Sequence, residues 1–334
     1  MEMVTRPHVQ NFIDWSSDRP EVLVLSADLT NSCEVARWRD TYPDRFISGG
    51  MAEQNLLGVA AGLAREGFRP WIHTFAVFLY RRPYDQLAMS IAYPNLPVRL
   101  VGFLPGIVTP GGVTHQAIED VAILRATPNM TILETGDATE VESVLDAADA
   151  VDGPVYIRML RGQLPRLFPQ DEPLRLGRSR QLSTGDDVTV LTSGIATEEA
   201  MRATGVLAER GIEITHLHVS NLKPFGDDLI AEALGRGKGP VITLENHSIV
   251  GGLGSAVAEY VADRGIGRKV VRLGLRDTYA HGASKAYLMR EYELDALALT
   301  QTIEAELGRR LGIVEEDLAA ATITAAGGVN AESL

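Results

Sequence analysis

The run Gly49-Gly50-Met51-Ala52-Glu53-Gln54-Asn55 opens directly onto the apolar stretch Leu56 to Ala64. The glycines permit a tight turn. The apolar stretch behind them predicts a helix with Glu53 in its first turn. A carboxylate there is favourable against the helix dipole and, taken alone, needs no other reason. Thr74-Phe75-Ala76-Val77-Phe78 follows at the end of a candidate strand, and taken alone its two aromatics read as core. A loop from Gly102 to Thr114, with four glycines and two prolines in 13 residues, then leads into His115 and a helical segment, closing the motif Gly112-Val113-Thr114-His115-Gln116. Loops of that make-up carry function more often than packing.

Outward from these segments, short β-branched runs alternate with helical patterns. Candidate strands are Val22–Leu25, Trp71–Thr74, Val98–Gly102, Met130–Glu134 and Val155–Arg158, with amphipathic Leu56–Arg65 and Ala138–Ala150 among the segments between. That alternation predicts an α/β domain with a mainly parallel sheet over residues 1–165. Residues 166–185, rich in Pro, Arg, Asp and Gly without a sustained period, read as a linker. The alternation restarts at Val188–Leu191 and runs through Glu198–Glu209, Ile214–Val219, Leu229–Leu234, Val241–Leu244, Ala256–Ala262 and Val270–Leu273. It predicts a second, smaller α/β domain over 186–311, followed by a tail, 312–334, with one short helix and a frayed end.

With 334 residues the chain is long enough for two domains. No apolar run approaches the roughly 20 residues that span a bilayer, so no membrane association is expected. The N-terminus lacks an apolar signal core, and a single cysteine, Cys33, cannot form an internal disulfide. Both features fit a cytoplasmic protein. The formal charge of −13 argues against nucleic acid as partner. It leaves room for a phosphorylated small molecule, because a few local arginines override the global field at contact distance.

In their order and spacing, Gly-Gly-Met-Ala-Glu53-Gln-Asn, Thr-Phe75-Ala-Val-Phe78 and Gly-Val-Thr-His115-Gln resemble the pyrimidine-binding domain of the transketolase group of thiamine diphosphate enzymes, and the resemblance extends over about residues 20–310. It implies two consecutive α/β domains, the pyrimidine-binding one and then the small C-terminal one. It also implies a partner. Enzymes of this group hold the diphosphate and its metal on a Gly-Asp-Gly segment with a downstream Asn, and no Gly-Asp-Gly occurs here. The expectation is therefore the C-terminal-half subunit of a split transketolase. It would transfer a two-carbon ketol unit between sugars, inactive until an N-terminal-half subunit supplies the diphosphate site with Mg²⁺ (or Ca²⁺ or Mn²⁺). The expected assembly is an α2β2 heterotetramer. Rival readings are a 2-oxoacid dehydrogenase beta subunit, a deoxyxylulose-phosphate synthase half, and a non-catalytic assembly subunit.

By the same resemblance, the Glu53 carboxyl hydrogen-bonds the cofactor's aminopyrimidine and favours the tautomer that takes a proton from the thiazolium carbon. Phe75 and Phe78 stack on that ring. Asp28 and Thr30, in Leu25-Ser26-Ala27-Asp28-Leu29-Thr30, lie near the cofactor at the end of the first strand, with helix capping as their rival role. His115 contacts substrate and shuttles protons, a task suited to an imidazole. Arg158 and Arg161, in Arg-Met-Leu-Arg-Gly, supply the grip on a sugar phosphate, or else form a surface salt bridge near the linker.

The chain departs from the family at three places. Arg81 stands where a further aromatic is common. Gly111, four residues before His115, replaces an Asp, and Phe103, twelve before it, replaces a His in a gapless alignment. An apolar Phe103 and an empty place at Gly111 predict a substrate whose hydroxyl pattern is not the usual one. His216 and His218 share a strand face, but without a nearby carboxylate or thiolate they make no metal site. Leu244-Glu245-Asn246-His247 resembles the small C-terminal domain, where it serves assembly.

Overall fold

The computed structural model describes residues 2–320. β1 (Met3–Thr5) and α1 (Pro7–Trp15) lead into β2 (Val22–Ser26), whose residues are all buried. An unbroken Val/Leu run suits a parallel strand covered on both faces. The alternation continues through α2 (Ala36–Thr41), β3 (Phe46–Ser48), α3 (Glu53–Arg65), β4 (Arg69–Phe75) and α4 (Ala76–Tyr80). After a π-helical turn at Gln86–Ala92 come β5 (Arg99–Phe103), α5 (Asp120–Ala126), β6 (Thr131–Glu134), α6 (Ala138–Asp149), β7 (Val155–Met159) and β8 (Gln163–Pro165).

The second half begins with β9 (Arg180–Ser183), inside the stretch read as linker. It proceeds through β10 (Val188–Thr192), α7 (Ala196–Glu209), β11 (Ile214–His218), β12 (Asn221–Lys223), α8 (Asp228–Arg236), β13 (Val241–Ser248), α9 (Leu253–Asp263) and β14 (Val270–Leu275). Helices α10 (Lys285–Glu291), α11 (Ala296–Leu307) and α12 (Glu315–Ala320) close it. The frayed end expected beyond α12 lies outside the described residues.

The chain is an α/β protein with two principal sheets. One has the order β12-β6-β7-β5-β4-β2-β3, the other β14-β13-β10-β11-β9. Within the first, β7, β5, β4, β2 and β3 pair in parallel, so their carboxyl ends share one edge. Strand β12 crosses from the second half to pair antiparallel with β6. Among the helices, α3 buries Leu56, Leu57, Ala60, Ala61 and Ala64 and lies against β2 and β4. Helix α4 rests on β5, where a Cβ at Gly102 would come 2.9 Å from the Ala76 Cα. Only glycine permits that approach, which sets the position of the segment bearing Phe75 and Phe78.

The second half also holds the loop after β5. The Asn246 side chain donates to the Pro105 carbonyl at 3.0 Å and accepts from the Ile107 N–H at 2.9 Å. Glu245 beside it accepts from the Leu253 and Gly254 N–H groups, capping α9. His218, buried on β11, does meet a carboxylate: its Nε2 lies 2.9 Å from Glu140 on α6. That contact ties the two halves together. His216 instead bonds Thr192, and among the described residues no group of three potential ligands is placed to hold a metal.

Candidate active site

The shared edge of the parallel strands delivers most of the expected residues to one place. Asp28 follows β2, Glu53 follows β3, Phe75 ends β4 and His115 lies beyond β5. These four, with Phe78 and Arg82, line a cavity of about 350 Å³ whose walls also include Ala27, Leu29, Ser32, Met51 and Thr114. Open α/β sheets bind ligands in this position, outside the carboxyl ends of their strands.

Glu53 is the first residue of α3 and its side chain is 4% exposed. The turn before it needs both glycines. A Cβ at Gly49 would strike the Leu56 side chain, and Gly50 has φ +64°. Arg82 Nη1 donates to Glu53 Oε1 at 2.5 Å, and the same guanidinium lies 4.0 Å from the Phe78 ring centroid.

Phe75 and Phe78 are near parallel, with centroids 6.0 Å apart and planes at 26°. The His115 ring stands edge-on to both, at 6.2 and 5.6 Å. Its Nδ1 is 2.9 Å from the Thr114 hydroxyl. The helix expected to start at His115 begins instead at Asp120. His115 ends a single 3₁₀ turn, Val113–His115. Arg81, which stands where a further aromatic is common, does not line the cavity and instead braces this segment. It holds Glu119 at 2.6 and 2.7 Å and donates to the carbonyls of Val113 and Gln116.

Asp28 is exposed and has φ +62°, a left-handed conformation that aspartate tolerates better than most side chains. Neither Asp28 nor Thr30 caps a helix, because the next one starts at Ala36 with Val35 before it. Thr30, expected near the cofactor, does not line the cavity, and its hydroxyl is 3.2 Å from that of Ser26. Arg161 stands at the rim. It donates to the Ser32 carbonyl at 2.8 Å and lies 5.8 Å from the Phe75 ring. Its loop is held by Glu34, which accepts from the Gly162 N–H at 2.8 Å and whose carboxyl burial pushes above the usual range.

Three expectations are corrected. Arg158 does not reach the cavity. Its guanidinium is buried between Asp120 at 3.0 Å and Glu134 at 2.5 Å and donates to the Asn246 carbonyl, so it joins the two halves. Phe103 is no wall of the site. Fully buried at the end of β5, it packs against His8 and His73. Gly111 leaves no open space, since a Cβ there would lie 2.9 Å from the His115 ring. The residue that sequence reasoning missed is Arg82. Its partner lies 29 positions away, so only the fold brings the two together.

Comparison with known proteins agrees with the layout. Residues 10–166 match the transketolase pyrimidine-binding domain and residues 177–297 the transketolase C-terminal domain. The chain is 37% identical to the 6-deoxy-6-sulfo-D-fructose transketolase subunit SqwH of Clostridium sp., over 86% of this chain and 89% of that one. It is 36% identical to the 1-deoxy-D-xylulose-5-phosphate synthase of Symbiobacterium thermophilum, but spans 46% of that protein's length. Among solved structures, a split-gene transketolase described as an inactive β4 tetramer superposes with a TM-score of 0.81. It is 35% identical, with 90% of this chain and 97% of that one covered.

Proposed function

The chain belongs to the transketolase family, whose members are thiamine diphosphate-dependent transferases, and from that premise we propose that it is the pyrimidine-binding subunit of a two-chain transketolase. The observation that carries this reading is the convergence of Glu53, Phe75, Phe78 and His115 on one cavity. The residues fit the aminopyrimidine end of the cofactor: a buried carboxyl to accept from a ring N–H, flanked by two near-parallel aromatics. When bound, the cofactor supplies a carbanion that cleaves and forms carbon–carbon bonds next to a carbonyl. The chain's own residues hold and protonate. Glu53 orients the ring and stabilises its proton-accepting tautomer, while Phe75 and Phe78 exclude water from its face. His115, steadied by the Arg81 brace, moves protons on substrate oxygens, and Asp28 stands at the cavity mouth. The diphosphate and its Mg²⁺ fall to the partner subunit, in an α2β2 assembly.

Arg161 at the rim is the proposed contact for an anionic sugar tail. Phosphate suits a guanidinium fork, and the relative named for a sulfo-sugar makes a sulfonate the second candidate. With Phe103 in the core, the case for an unusual donor rests on Gly111, which brings no acceptor carboxylate to the loop. The test is mutagenesis of the assembled enzyme. Glu53→Gln should abolish ketol transfer while the ring still binds, and undiminished turnover would refute the assignment. Identity to a deoxyxylulose-phosphate synthase keeps a second reading in view, and that reading requires pyruvate as donor in the same assay.

A further inference from the structure

Glu53 already has a partner, and that partner has the shape of the expected one. A guanidinium is planar, delocalised and rich in N–H donors, as is a protonated aminopyrimidine. Arg82 places this group over the Phe78 ring at 4.0 Å and donates to the Glu53 carboxyl at 2.5 Å. It thereby takes both the platform and the hydrogen-bond acceptor that the Proposed function assigns to the cofactor ring. Its placement is built in. The Arg82 carbonyl accepts from the Gln54 side chain at 3.1 Å, so neighbouring residues of the first turn of α3 hold its two ends. Pro83 follows and narrows the backbone choices at Arg82.

We infer that Arg82 is an internal occupant of the aminopyrimidine site, an arginine that must leave Glu53 and Phe78 before the cofactor ring docks. The inference rests on the reading of Glu53 and Phe78 given above. The side chain is 48% exposed, so it has water to move into, whereas Glu53 at 4% has none. The free chain therefore keeps its buried carboxylate paired, and the ring enters by exchange instead of simple insertion. Arg82 is in this sense an autoinhibitory contact that competes with the ring and weakens its binding.

The test is binding of a neutral probe, 4-amino-5-hydroxymethyl-2-methylpyrimidine, to the full chain by NMR titration. A neutral probe removes the trivial gain that a cation would draw from deleting a positive charge. Arg82→Ala should bind it roughly three- to thirty-fold tighter than wild type, the range set by losing one half-exposed ion pair and one cation–π contact. Arg82→Gln, which keeps an N–H donor but neither the charge nor the fork, should fall between. Arg82→Ala binding no tighter than wild type, or no measurable binding by either, overturns the inference. A Glu53→Ala arm separates the two failures. If Glu53→Ala weakens binding while Arg82→Ala leaves it unchanged, only the internal occupant is refuted. If Glu53→Ala in the Arg82→Ala background changes nothing, the assignment of Glu53 to the ring fails as well, and the inference with it.

Discussion

At the scale of single residues, the proposed chemistry turns on where charge and hydrogen-bond donors sit. Glu53→Gln keeps an amide that can bond the ring but removes the carboxyl that favours the productive tautomer. Deuterium exchange at the thiazolium carbon in the assembled enzyme should fall to near the solution rate, and wild-type exchange would remove Glu53 from the mechanism. Arg161→Ala should raise KM for phosphorylated donors far more than for unphosphorylated ones, by roughly 1.5–3 kcal/mol. An equal rise for both would make Arg161 structural. Glu53, Phe75, Phe78 and His115 were legible in the sequence because they lie inside three short motifs. Arg158 and Phe103 were not. A gapless alignment gives a place in the chain but not the direction of a side chain, and at the ends of β7 and β5 both turn into the interior. Arg82 was out of reach for another reason, since nothing local to it signals a partner on α3.

At the scale of elements, the segment carrying His115 is held from both sides. Arg81 ties it to α5 through Glu119, and Asn246 of the second half ties its upstream loop. Gly111 is the tightest point. Gly111→Ala brings a Cβ within 2.9 Å of the imidazole and should push the half-exposed ring out of position, lowering kcat by about tenfold. Probe binding at Glu53 and the melting temperature should hardly move. Steady-state kinetics beside a thermal melt checks this, and an unchanged kcat would show that the ring has room to yield. Elements with a sustained period, such as α3 and α7, could be read from the sequence, and so could the apolar strands. Strands β9 and β12 could not. Each is four residues or fewer and exists only through its pairing, a tertiary effect with no local signature.

At the scale of the whole molecule, both halves bury histidines as neutral rings. Burial holds His8 down at about 3, His216 at about 3 and His247 at about 4. His8 and His73 face each other at 3.2 Å in the aromatic core. The unfolded chain takes up these protons near pH 6.5, while the folded chain does so only far below. The stability is therefore fully present above 6.5 and is lost as pH falls from 6.5 toward 3. One such group accounts for about 2 kcal/mol between pH 6.5 and 5. His8→Leu should flatten the acid side of the stability profile by up to that amount, measured by urea unfolding at pH 7.5 and 5. An identical slope in the variant would mean that His8 is not among the groups responsible.

The central claim is that this chain carries the ring half of a thiamine diphosphate site and needs a second chain for the diphosphate half. Its most direct test is turnover on mixing. This chain and a diphosphate-binding chain with Gly-Asp-Gly and a downstream Asn are assayed singly and together for ketol transfer, with thiamine diphosphate and Mg²⁺ present. Neither chain alone should turn over, and the mixture should, saturating at one of each chain per site. Robust ketol transfer by this chain by itself would contradict the central claim.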